Sequence, residues 1–133
     1  MIKEKEVIVQ ANDLESFVSS LFATTEMSPE DAAYCAQCLV QTNLWGIDSH
    51  GVLRAPIYLE RLKSKAVNPT PHIKKIRGLG ALEVINGDDG MGYIVAKSAM
   101  TRAVELAEIH GIGAVGVVCS NHFGAAALFS RMA

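Results

Sequence analysis

Apolar positions recur at helical spacing three times in the first half of the chain. Leu14, Phe17, Val18, Leu21 and Phe22 fall on one stripe, with Glu15, Ser16, Ser19 and Ser20 between them, and this predicts an amphipathic helix. Asn12 with Glu15 three residues on has the form of a capping box at its start. Ahead of it, Glu6 to Gln10 reads as a short strand or an extended lead-in. A second helix begins at Ser28, with Pro29 at the first helical position and Glu30 and Asp31 facing the positive end of the dipole. Ala32, Ala36, Leu39, Val40 and Leu44 form its inward face, and Gly46 stops it. A third helix is predicted over Ala55 to Ala66, with Ile57, Tyr58, Leu59 and Leu62 as its apolar surface.

The period changes after Val67-Asn68-Pro69-Thr70-Pro71. Two prolines two residues apart favour extended backbone, so a boundary falls here between residues 1–68 and 69–133. Strands are predicted at Ile73–Arg77 and Leu82–Asn86, separated by a Gly-x-Gly turn. The glycine-rich run Gly87 to Gly92 then leads into a helix over Tyr93 to His110. Strand, glycine-rich turn and helix is the order of a phosphate-binding loop. Here the spacing is Gly-x-x-Gly-x-Gly, and Asp88 and Asp89 would repel a diphosphate, so the run reads as a tight turn. Ala114 to Cys119 is continuously apolar, as in a fully buried strand of a parallel sheet. A last helix, Ala125 to Ala133, has no stop signal and reads as cut rather than finished. The fold class is therefore α/β, with a helical N-terminal subdomain followed by the start of a mixed α/β domain.

Composition narrows the function. Half of the 133 residues are hydrophobic, a fifth are charged and the net charge is -2, which excludes a disordered chain. With no basic block, a nucleic-acid surface is not expected. No apolar run is long enough to span a membrane, and three cysteines without a framework point to reduced thiols and a cytoplasmic protein. Cys35 and Cys38 lie three apart on the apolar side of the second helix and read as core thiols; no metal site is expected.

Two stretches carry chemistry. In Asp48-Ser49-His50-Gly51-Val52-Leu53-Arg54 an imidazole follows a hydroxyl and precedes a guanidinium by four residues. If Gly51 to Arg54 open a helix, His50 and Arg54 can face one cavity. That pairs a group titrating near pH 7 with a fork that grips carboxylates. The same residues can also form no more than a helix cap with a polar turn. Tyr58 shares a side with Arg54 and reads as a packing residue whose hydroxyl can reach a substrate. Ser120-Asn121-His122-Phe123-Gly124 ends the apolar strand just before a helix, the usual ligand position of open α/β sheets. His72 and His110 read as surface residues.

Taken together, Ser28-Pro29-Glu30-Asp31-Ala32, Gly46-Ile47-Asp48-Ser49-His50-Gly51, the Asn-Pro-x-Pro linker, Asn86-Gly87-Asp88-x-Gly90-x-Gly92 and Ser120 to Ala125 resemble the type 2 malate/L-lactate dehydrogenase family. That family includes ureidoglycolate dehydrogenase, 2,3-diketogulonate reductase and sulfolactate dehydrogenase. The resemblance covers essentially the whole chain but only the N-terminal part of the family. It implies an NAD- or NADP-dependent oxidoreductase interconverting 2-hydroxy and 2-oxo acids on a non-Rossmann fold, working as a homodimer or paired with a missing C-terminal part. His50 and His122 then match the catalytic histidines. Arg54 matches the substrate-carboxylate arginine and Ser49 a hydroxyl beside the substrate and nicotinamide; Tyr58 joins the substrate side by its spacing from Arg54. Ser49, His122 and Gly124 fall on the cofactor side. The family's cofactor-binding segments and an active-site lysine would lie beyond position 133. The alternative is a remnant or split-gene subunit that is inactive alone.

Overall fold

A computed structural model describes residues 7–133. Its elements follow the sequence in order: α1 (Ala11–Phe22), α2 (Pro29–Leu44), α3 (Ala55–Lys63), β1 (Lys74–Leu79), β2 (Leu82–Gly90), α4 (Gly92–His110), β3 (Ala114–Ser120) and a short α5 (Ala127–Ser130). The sheet is mixed, in the order β1-β2-β3. β1 runs antiparallel to β2, and β2 runs parallel to β3 through the α4 crossover.

The helix starts show which local signals act. Ser28 caps α2 by accepting a hydrogen bond from the Asp31 N–H at 3.1 Å, and Gly46, at φ +74, follows the helix end. The capping box at Asn12 does not form. Gln10 is the N-cap of α1 and makes no side-chain cap bond, because the helix begins a residue before Asn12. Val7 to Gln10 carry no strand; Glu6 lies outside the described residues.

α1, α2 and α3 share a core built on Val18, Phe22, Ala32, Cys35, Leu39, Tyr58 and Leu62. Phe17 and Leu44, both expected inward, are exposed. The core continues into the second half through Met91, Tyr93 and Phe129, so the start of α4 sits directly against the helical layer. The proline linker is stitched down as well. The Asn68 N–H donates to the Asp89 carbonyl at 2.9 Å, and the Asp88 carboxylate accepts from Asn68 Nδ2 and from the His72 N–H. These bonds occupy the glycine-rich stretch, which serves as the irregular end of β2, with Asp88 and Asp89 at positive φ.

Two expectations fail at the C-terminal side. β3 is not buried: Val117 is 39% and Val118 44% exposed. It pairs with β2 along one edge only, and α4 packs on a single face, so the other edge and face lack a covering layer among the described residues. The final helix is four residues rather than nine. It has no side-chain cap at its start, and it is held by burial of Phe129. Only a nucleus with tertiary support persists at that length.

One polar side chain ties the sheet to α4. Glu83, 4% exposed at its side chain, accepts both a bidentate pair from Arg102 (2.8 and 2.9 Å) and a bond from Lys75 Nζ (2.7 Å). These donors lower its carboxyl from the ordinary 4.5 to about 2. A depressed carboxylate contributes stability above its unfolded value and loses it as pH falls through the folded one. Glu83→Gln is therefore expected to lower the thermal midpoint at neutral pH. Its deficit against wild type should shrink as pH drops from 4.5 towards 2 in unfolding scans. A deficit independent of pH over that range would show that the ion pairs are not its source.

Candidate active site

The segment after α2 does not open one continuous helix as the spacing suggests. It makes two single 3₁₀ turns, Asp48–His50 and Val52–Arg54, separated by extended backbone at Gly51, and α3 begins only at Ala55. His50 therefore ends one turn and Arg54 immediately precedes α3. The cause is Asn43 on the last turn of α2. Its Oδ1 accepts from the Val52 N–H at 2.7 Å and its Nδ2 donates to Asp48 Oδ1 at 2.6 Å. A Cβ on Gly51 would lie 2.1 Å from Asn43 Oδ1, so glycine is required where the turn folds over this amide. Nothing in the spacing of residues 48–54 marks Asn43, since its partners lie five and nine residues away.

His122 arrives from the opposite side of the core. It follows β3 and is held against the first turn of α4. A Cβ on Gly92 would lie 2.3 Å from both the Asn121 and the His122 carbonyl oxygens. Asn121 Nδ2 donates to the carbonyls of Asp89 (2.8 Å) and Gly90 (3.2 Å), tying the loop to the end of β2. Gly124, at φ +70, passes so near Tyr93 that an added Cβ would fall 2.5 Å from the phenol oxygen. That phenol is fully buried, and its hydroxyl lacks a hydrogen-bond partner among the described residues.

These two arms bring the predicted residues together. The His50 and His122 rings lie 5.5 Å apart between centroids, tilted by 35°. The Ser49 hydroxyl sits 2.9 Å from His50 Nδ1, and the Tyr58 hydroxyl 2.6 Å from His122 Nδ1. Each ring thus meets a hydroxyl at Nδ1, and Nε2 of each is without a protein partner among the described residues. Tyr58 does what its spacing did not reveal. Its ring is buried in the core and edge-on to Tyr93 at 6.0 Å, while its hydroxyl orients a histidine 64 residues away. Arg54 donates through Nε to the Ser49 carbonyl at 2.6 Å. Among the described residues its two terminal nitrogens are unengaged, the pair that can take a carboxylate in bidentate fashion.

Burial, then the nearby charges of His50, Arg54 and Arg61, push the His122 pKa below its ordinary 6.5. His50→Gln removes one of these causes and leaves the largest. Histidine-resolved NMR titration is expected to show the His122 midpoint rising in that variant while staying below 6.5. An unchanged midpoint would mean that the rings do not share a site.

A groove of about 670 Å³ runs between α4 and β3, lined by Ala96, Ala99, Met100 and Val117 with Ser120, Asn121 and Phe123 at one end; Asn121 and Phe123 flank His122 in sequence, and the cluster's own side chains are not in the lining. Cys35 and Cys38 take no part in the site. Both are buried, and burial raises their thiol pKa values, Cys38 to about 11, which suits core packing and not a nucleophile. His72 and His110 are exposed and distant in sequence from both arms.

The sequence pattern of the malate/L-lactate dehydrogenase family matches residues 9–133. A malate dehydrogenase of Pyrococcus abyssi is 37% identical over 132 residues, 99% of this chain and 36% of that protein. An L-sulfolactate dehydrogenase of Methanocaldococcus jannaschii is 41% identical over 104 residues, 78% of this chain and 30% of its own length. In three dimensions the solved malate dehydrogenase of Pyrococcus horikoshii superposes with a TM-score of 0.92 at 34% identity, covering 100% of this chain and 40% of that one. The chain thus spans no more than about two-fifths of these relatives.

Proposed function

Because the chain belongs to the malate/L-lactate dehydrogenase family, we propose that its two-histidine cluster is the acid/base and carboxylate-binding part of an oxidoreductase acting on 2-hydroxy and 2-oxo acids. In this reading residues 1–68 form the substrate-bearing helical subdomain, and residues 69–133 open the cofactor-binding domain. The observation that carries it is the convergence of His50, His122 and Arg54 from separate elements on one site.

A nicotinamide cofactor, NAD or NADP, would supply or accept the hydride. The residues present fit its ring end. The open apolar groove ends at Ser120, Asn121 and Phe123, next to His122 in sequence, and offers a floor for a planar ring there; Ser49 and Gly124 are not in its lining and are proposed on the cofactor side from the family resemblance alone. They offer no cradle for its diphosphate, since the glycine-rich turn is filled by its own hydrogen bonds.

The protein's own groups do the rest. Arg54 grips the substrate carboxylate and fixes the neighbouring carbonyl at reacting distance. Reduction builds negative charge on that carbonyl oxygen, and an imidazolium Nε2–H of His50 or His122 delivers the proton; oxidation runs the transfer backwards. Ser49 and Tyr58, at the Nδ1 atoms, set which nitrogen faces the reaction. Burial and the neighbouring cations hold the His122 pKa below 6.5, so the ring is neutral near pH 7. An anionic substrate entering beside Arg54 raises the proton affinity of His122, so binding itself loads the proton for reduction.

The test is to titrate the chain with NADH and NADPH and then add a panel of small 2-oxo acids. Binding with coenzyme oxidation and formation of the 2-hydroxy acid is expected. A second reading is favoured by the glycine-rich turn, which its own hydrogen bonds fill, so that no diphosphate cradle is formed among the described residues. In it these residues bind no coenzyme by themselves and complete the site with a second polypeptide or a second copy. No coenzyme binding by the folded chain would select that reading.

A further inference from the structure

Asn43 stands outside both chemical stretches, yet its amide closes the turn that carries His50. From the last turn of α2 it reaches Asp48 at one limb and Val52 at the other, bracketing Ser49-His50-Gly51. Its orientation is fixed by its partners. The oxygen must meet the Val52 N–H, and the nitrogen must meet the Asp48 carboxylate. Its carbon frame occupies the space where a Gly51 side chain would begin, 2.4 Å from Asn43 Cγ. Its own carbonyl accepts from the Gly46 N–H at 2.8 Å, which holds the helix end beneath the turn. Few residues can replace this. An aspartate would oppose Asp48, a leucine would leave both partners unmet, and a longer amide would not fit beneath Gly51.

We propose that Asn43 is the positioning residue of His50, setting how closely that imidazole approaches His122. The inference rests on the reading of the two histidines as one acid/base site. Asn43 touches no reacting atom. It acts by denying the turn any other geometry, so that the Ser49 hydroxyl, the His50 ring and the Arg54 guanidinium keep one mutual arrangement.

The test compares two variants of the chain. Asn43→Leu removes both hydrogen bonds without adding charge. The double exchange Asn43→Asp with Asp48→Asn keeps the net charge and rebuilds the same contacts with the roles reversed: a carboxylate oxygen accepts from Val52 N–H, and an amide at position 48 donates to it. The readout is the His122 NMR titration midpoint, with His50→Gln marking the fully uncoupled value. Asn43→Leu is expected to move the midpoint at least about half of the way to that value, and the exchange to return it to wild type. A folded Asn43→Leu chain with the wild-type midpoint would overturn the proposal, as would a folded exchange variant that fails to recover. If Asn43→Leu does not fold, the exchange variant alone decides. The readout needs no turnover. Loss of coenzyme or oxo-acid binding with this pattern intact would sink the dehydrogenase reading and leave the positioning role standing.

Discussion

Gly92→Ala is expected to displace His122 and to destabilise the chain, although alanine is the better helix former. In an exposed helix the exchange would gain about 1 kcal/mol. Here the new Cβ would lie 2.3 Å from two backbone carbonyl oxygens, those of Asn121 and His122. Backbone cannot rotate away as a side chain can. Overpacking of this kind costs about 1–3 kcal/mol, more where the clashing atoms are fixed, so the net sign is unfavourable. The His122 loop must lift from α4, breaking the Asn121 bonds to Asp89 and Gly90 and drawing the ring away from Tyr58. A lower thermal midpoint together with loss of the Tyr58–His122 contact by NMR is the expected pair of results. A Gly92→Ala chain as stable as wild type would show that α4 and the loop are not in this contact.

Removing the imidazole itself gives the largest expected effect on the proposed reaction. His122→Ala should lower turnover by about 10²–10⁴-fold, the usual range for a positioned proton donor. Tyr58→Phe should give a smaller loss, concentrated in kcat, since it leaves the ring present but unoriented. Steady-state kinetics of both variants separate the roles. Equal losses would mean that Tyr58 acts on the substrate directly and not through His122.

The sequence made the helical half legible because its signals are local. Ser28 caps within three residues, Gly46 stops within two, and the apolar stripe of α2 needs no partner to be read. It misjudged the helix around Gly51 because the deciding group, Asn43, acts from a preceding element. The expected capping box at Asn12 failed for the opposite reason: a local pattern was present, but the helix began earlier. β3 shows a further limit. A run of valines states that a strand prefers to be covered, and the covering layer is not a property of the strand itself. In the site, both histidines, Arg54 and Ser49 were visible from residue type and spacing. The Tyr58–His122 bond was not, since it joins residues 64 apart through a shared core. Gly92 read as part of a tight turn, and Gly124 as a residue on the cofactor side. One is required by the carbonyls of the His122 loop and the other by a buried phenol.

In the proposed function His50, His122 and Arg54 form one site that receives a 2-oxo acid carboxylate. It is tested most directly by histidine-resolved NMR of the chain titrated with oxamate, an unreactive isostere of a 2-oxo acid. Oxamate is expected to perturb both His50 and His122 and to raise the His122 titration midpoint. Arg54→Ala is expected to weaken the binding by about 10–100-fold, the worth of one lost charge-assisted contact of roughly 1.5–3 kcal/mol. Oxamate that leaves both rings unmoved, or that binds equally well without the Arg54 guanidinium, would contradict it.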